Sequence, residues 1–297
     1  GSTFKLFVYL AALRAGWEPD DVIDNQPIET GSYRPKNSGG AYSKTITLED
    51  AFATSSNVAA VRLLREVGDD KVIDMARDLG VTAPMTKGDP SLALGTSSMT
   101  LLELTAAYAA VAANSYPVVP HAFEGEEKGW FENLISGPSR FRSRVHEDIE
   151  RMLRAAVNRG TGRAARLPQA NFGKTGTSQD NRDALFVGYA NGLVVGVWIG
   201  NDDNSPLRGI SGGGLPARIW RDFMMQASGQ QAAPPRREAD PRGPVEPQDI
   251  PDVAAIPVGD RTRVGIEGGD AVISTEINGS RIDLRLPITK GAPEEPA

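Results

Sequence analysis

The stretch NFGKTGTSQDNRDALFVGYANGLVVGVWIG, residues 171–200, breaks a predominantly helical pattern and decides the class of the chain. Asn171 to Gly176, Ala184 to Ala190 and Leu193 to Ile199 are short runs of apolar, β-branched and small residues. Asn191-Gly192 joins the last two. That pair favours a two-residue hairpin, since both turn positions need positive φ, so an antiparallel strand pair is expected. The first run carries Lys174-Thr175-Gly176-Thr177.

Outward from this stretch the spacing is helical. Thr3 to Arg14 is apolar on nearly every side, which predicts a buried helix stopped at Gly16. A Pro-, Gly- and Ser-rich loop runs from Glu18 to Thr45. Thr47 with Asp50 three residues on reads as an N-cap opening a helix that is interrupted near Ser55. Helices are expected over Val58 to Val67, Asp70 to Leu79, the stretch from Thr100 (capping box with Glu103) to Ala113, His146 to Arg159, and Leu215 to Ala227. From Gly229 to about residue 256 the chain is rich in Pro, Arg and Glu, as in Pro234-Pro235-Arg236-Arg237-Glu238, and reads as a linker. Val272 to Glu276 and Arg281 to Leu286 alternate around Asn278-Gly279, so residues 257–297 are expected to form a small β-hairpin and a tail.

Composition narrows the function classes. The 297 residues carry 32 Lys+Arg against 38 Asp+Glu, a net charge of −6, with no basic stripe of the kind phosphate backbones require, so nucleic acid is not the expected partner. There are no cysteines, which excludes thiolate catalysis and disulfide scaffolds. With only His121 and His146 available, both read as surface or capping residues, a Ser-His-Asp triad is disfavoured, no histidine-rich metal site is available, and no cofactor is implied. Asp202, Asp203 and Asn204 lack the ligand spacing of a calcium loop and read as a solvated turn. Tyr189, Trp198 and Trp220 are expected as core or substrate-groove aromatics, the core being favoured.

Three short motifs carry chemistry: Ser2-Thr3-Phe4-Lys5, Ser55-Ser56-Asn57 and Lys174-Thr175-Gly176. By residue frequency a Ser-x-x-Lys arises about once in a chain of this length, and Lys-Thr-Gly in roughly one chain in ten, so the weight lies in the ordered set. Ser2 and Lys5, three apart, share a helix face. A serine hydroxyl needs a base, and a lysine amine serves only if burial or a neighbouring cation lowers its pKa; Lys174 is a candidate neighbour. The first helical turn would offer free N–H groups and a positive dipole to an oxyanion at Ser2.

The motif set is that of the serine β-lactamases and penicillin-binding proteins. The chain resembles the bifunctional class A penicillin-binding proteins more widely, at residues 1–7, Tyr33 to Asn37, Ser91 to Thr96, Gly173 to Thr177, Asp183 to Tyr189 and Val197 to Asp202. The resemblance implies an α+β fold, an antiparallel sheet with helices on both faces, over residues 1–228. It implies Ser2 as acylated nucleophile, Lys5 as its base, Ser55 as proton relay, and Asn57 as holder of the substrate amide and of Lys5. Lys174, Thr175 and Thr177 would bind the substrate carboxylate, with Gly176 between them and the Ser2 and Thr177 N–H groups as oxyanion hole.

The implied activity is peptidoglycan D,D-transpeptidation, with D-Ala-D-Ala stem peptides and β-lactams as partners, at the periplasmic face of the inner membrane. A glycosyltransferase domain, a membrane anchor and the first sheet strands precede the Ser-x-x-Lys segment in that family. They are therefore expected upstream of Gly1, with an open sheet edge beside the Lys174 strand and the membrane reached only through that anchor. Two alternatives stay open: a hydrolase of the D,D-carboxypeptidase or β-lactamase type, and a non-catalytic penicillin-binding sensor or scaffold. A class A β-lactamase needs a Glu-bearing loop, and Glu124, Glu126 and Glu127 do not form a recognisable one.

Overall fold

In the computed structural model the described residues are 1–29, 31, 33–121, 138–229 and the strands 253–259, 262–267, 270–277 and 280–287. Pro234 to Glu238, Asn278-Gly279 and the three glutamates between 124 and 127 lie outside them. The chain divides into two compact units, Gly1–Ala232 and Ala233–Ala297.

In the first unit a 3₁₀ turn, Ser2–Phe4, runs into α1, Lys5–Arg14. Every residue of α1 from Lys5 to Leu13 is buried, as an all-round apolar helix must be, and Gly16 ends it at φ +102. Around it stand α2 (Leu48–Ala53), α3 (Asn57–Val67), α4 (Asp69–Asp78), α5 (Leu101–Ala112) and α6 (Ser143–Asn158). The capping signals work as chemistry. Thr47 Oγ1 accepts from Asp50 N at 3.1 Å, and Thr100 with Glu103 forms a reciprocal capping box. Two three-residue strands, β1 (Val22–Asp24) and β2 (Thr45–Thr47), are too short to announce themselves by alternation.

The stretch at 171–200 forms an antiparallel meander of β3 (Phe172–Thr177), β4 (Asp183–Ala190) and β5 (Leu193–Gly200). Helices cover both faces. Phe186 and Ala190 pack against Trp220 and Met224 of α7, Leu215–Ala227. Val187 and Tyr189 join the larger core around α1, α5 and α6. Burial on both sides explains why β4 reads as a nearly unbroken apolar run. Trp198 departs from expectation: it is 46% exposed, its ring over Gly200 and its Nε1 donating to Asp183 at 2.9 Å. His146 is neither a cap nor a surface residue, since its Nε2 lies 2.8 Å from Val111 O and ties α6 to α5. Among the described residues β3 and β5 are both edge strands of the sheet.

The second unit corrects the sequence reading. It holds a four-stranded antiparallel sheet of β6 (Val253–Gly259), β7 (Thr262–Glu267), β8 (Asp270–Ile277) and β9 (Ser280–Pro287), not one hairpin, and β6 begins inside the span read as linker. Pro257 conceals β6, because proline in a run argues against a strand, and the ladder with β7 shifts register at that point.

Candidate active site

The site forms where α2 ends. Ser55 N donates to Phe52 O at 3.1 Å and Ser56 N to Ala51 O at 2.8 Å, the paired bonds of a Schellman turn. The left-handed position of that turn, normally glycine, is Ser55, at φ +60. A non-glycine residue held there costs about 1–2 kcal/mol, which points to a role for the side chain. Ser56 then caps α3, accepting from Ala59 N at 3.1 Å, and Asn57 is its first residue.

Two lysines meet at this turn, both fully buried. Lys5 Nζ donates to Ser55 O (2.7 Å), Ser55 Oγ (3.1 Å) and Asn57 Oδ1 (2.7 Å). From the other side Lys174 Nζ donates to Ser55 Oγ at 2.9 Å and lies 5.6 Å over the Phe52 ring. Burial, and then the charge of Lys174, hold the Lys5 ammonium well below its usual range. Burial lowers Lys174 to about 7. Both shifts make a lysine easier to deprotonate than a free one, and Lys5, pushed by burial and by its neighbour's charge, is the one placed to act as a base beside the Ser55 hydroxyl.

Strand alternation distributes the third motif. Lys174 pairs with Val187 and points to the α1 side, whereas Thr175 pairs with Phe186 and points to the opposite face. There Thr175 Oγ1 lies 2.6 Å from Thr161 Oγ1, and Thr177 Oγ1 accepts from Gly212 N at 3.1 Å. Thr161 and Gly212 carry no motif and were not expected. Their partners are 14 and 35 residues away, beyond the reach of any local signal.

Backbone-to-backbone approach fixes the rest. A Cβ on Gly212 would stand 2.2 Å from Gly176 O, and one on Gly176 would stand 3.0 Å from Thr3 Cγ2. A Cβ on Gly1 would lie 3.2 Å from the Thr177 carbonyl carbon, so the turn bearing Ser2 abuts the end of β3. Gly95, at φ +71, closes the other side, where a Cβ would be 2.3 Å from Gly1 O. Tyr108 Oη donates to Thr3 O at 3.1 Å and anchors the same turn from below. Ser2 is half-buried there. The structure thus brings Lys5, Ser55, Asn57 and Lys174 into one bonded cluster and sets Ser2 beside Thr177. The bonds of Lys5 run to the 55–57 turn.

Comparison with known proteins follows the same outline. The family described as penicillin binding protein transpeptidase domain matches residues 1–224. Penicillin-binding protein 1A of Neisseria meningitidis is 34% identical over 243 residues, 75% of this chain and 30% of that protein. Among solved structures, PonA1 of Mycobacterium tuberculosis in complex with penicillin V aligns with a TM-score of 0.67 at 24% identity, covering 79% of this chain and 70% of that one. An imipenem acyl-enzyme complex of penicillin-binding protein A from M. tuberculosis aligns with a TM-score of 0.59 at 23% identity, over 77% of this chain and 60% of that one. These structural likenesses bear on the fold. The chain spans about 30% of the length of the curated relative.

Proposed function

Because this chain belongs to the penicillin-binding protein transpeptidase family, we propose that it is the D,D-transpeptidase part of a peptidoglycan synthase, a serine acyltransferase that β-lactams block. The observation that carries the proposal is the convergence of two buried, pKa-lowered lysines on Ser55, with Asn57 beside them.

Ser2 Oγ attacks the carbonyl between the two D-alanines of a stem peptide as its proton passes to the neutral Lys5 amine. The oxyanion is held by the Ser2 and Thr177 N–H groups. Collapse expels D-alanine, whose nitrogen takes a proton through Ser55, resupplied from Lys5 or Lys174. An amine of a second stem peptide then attacks the acyl-enzyme, forms the cross-link and returns Ser2. With a β-lactam the leaving nitrogen stays tethered and the adduct persists. Thr177 accepts from Gly212 and keeps its own proton, and the Thr161–Thr175 pair has one proton to spare, so the β3 hydroxyls remain able to donate to a substrate carboxylate. As part of the same proposal, we assign the activity to the periplasmic face of the inner membrane, with a glycosyltransferase in the same polypeptide. Among the described residues no helix is long and apolar enough to cross a membrane.

The test is incubation with a fluorescent penicillin, then intact mass and peptide mapping. A stable adduct on Ser2, abolished in Ser2→Ala, is expected; a folded protein that gives no adduct on Ser2 overturns the assignment. Supplying a D-Ala-D-Ala donor with and without an acceptor amine separates transfer from hydrolysis.

A further inference from the structure

Asn37 is 8% exposed, sits in a loop far from the three motifs in sequence, and makes more hydrogen bonds than its loop requires. Its Oδ1 accepts from Asn57 N at 2.8 Å and Val58 N at 3.1 Å, two of the N–H groups that a helix start leaves without partners. Its Nδ2 donates to Ala41 O at 2.8 Å and Asn25 Oδ1 at 3.1 Å, which fixes which way the amide faces. The preceding residue completes a clamp: Asn57 Nδ2 donates to Lys36 O at 2.7 Å. With its nitrogen held there, the Asn57 amide must turn Oδ1 toward Lys5, where it accepts at 2.7 Å.

Helix capping alone does not account for this. α3 has its own cap in Ser56, which accepts from Ala59 N and whose hydroxyl donates in turn to Asn25 Oδ1 at 2.6 Å, with Asn37 Oδ1 at 3.2 Å. The Lys36-Asn37 pair instead grips the backbone and both amide orientations of the one α3 residue that touches Lys5. It also holds the chain two residues beyond Ser55, whose unfavourable φ gives the turn a reason to relax once released.

We infer that Asn37 is a positioning residue for acylation of Ser2, acting through Asn57 to fix the acceptor that orients the Lys5 amine. The inference rests on the function proposed above. Lys5 is otherwise faced by Ser55, by Lys174 from β3 and by the charge of the Gly1 amino group, so Asn57 supplies its one side-chain amide contact.

The experiment measures the rate of Ser2 labelling by a fluorescent penicillin across pH. It uses the full-length protein and its Asn37→Ala, Asn57→Ala, double and Asn25→Ala variants, each with its melting temperature. Asn37→Ala is expected to slow labelling by about 10- to 100-fold, as displaced catalytic groups do. The acid limb of its profile should move toward lower pH, as in Asn57→Ala, because an ammonium loses an acceptor. The double variant should be no slower than Asn57→Ala, since both changes act through one contact. Asn25→Ala, which removes the acceptor of Asn37 Nδ2 and of Ser56 Oγ but leaves Asn37 Oδ1 on Asn57 N and Val58 N and Ala41 O on Asn37 Nδ2, should lower the melting temperature and leave the acid limb in place. If Asn37→Ala does not fold, Asn37→Ser, whose hydroxyl satisfies one N–H only, should show the same shift. Wild-type rate and acid limb in a folded Asn37 variant, or an effect additive with Asn57→Ala, overturns the inference alone. Failure of the wild type to label Ser2 overturns it together with the proposed function.

Discussion

The two sheets of this protein are built by the same local rules and bear different burdens. β3–β5 and β6–β9 are both antiparallel meanders, and each contains an Asn-Gly pair between two of its strands. In the first, β4 is buried on both faces and β3 presents one lysine to a buried turn and two threonine hydroxyls to the other face. In the second, Val272 and Ser274 are buried while Asp283 to Arg285 of β9 are exposed. Strand pairing therefore locates a sheet without saying whether it carries chemistry. What packs on its faces decides that.

The comparison breaks most sharply at Ser55. If the left-handed turn exists to hold a hydroxyl between two lysines, Ser55→Gly should remove function without removing structure. Glycine takes φ +60 at no steric cost, so thermal stability should stay level or rise by up to about 1 kcal/mol. Labelling of Ser2 by penicillin should fall by about 10²- to 10⁴-fold, the range of a lost proton-transfer group. Unchanged labelling would reduce the turn to a helix stop.

A smaller effect tests burial. Phe186 is fully buried against Trp220, and Phe186→Ala should cost about 3–5 kcal/mol, read as a shift in the unfolding midpoint of the first unit. Leu284, 54% exposed on β9, should cost less than about 0.5 kcal/mol on change to alanine. Equal costs at the two positions would mean that the sheets are not differently loaded.

How far this was legible follows the range of each interaction. Helix starts at Thr47 and Thr100 and the stop at Gly16 are settled by residues within four positions, and the sequence reading located them. Lys5 and Lys174 were legible as chemistry through their motifs, and their meeting at Ser55 spans 50 and 119 residues. Asn37 ends a segment that resembles the family, Tyr33 to Asn37, but its role, like those of Thr161 and Gly212, runs across 14 to 35 residues with no local pattern that announces the partner. β6 was hidden for a different reason, because Pro257 breaks the pattern and the strand tolerates it by shifting register. His146 reads as a surface or capping residue, and its bond to Val111 O, 35 residues away, has no local signal either.

The smallest expected effect comes from removing the second sheet altogether. The bonds described at the site, those of Lys5, Ser55, Asn57, Lys174, Thr161 and Gly212, arise from residues inside Gly1–Ala232. Acylation rate depends on those groups being held within fractions of an ångström, and a unit that supplies none of them has no lever on the rate beyond stability. Deleting residues 233–297 should accordingly leave the penicillin labelling rate of Ser2 within about twofold and the acid limb of its pH profile in place. A slowing of tenfold or more, at an unchanged melting temperature, would show that β6–β9 does carry part of the chemistry and that the contrast between the sheets is wrong.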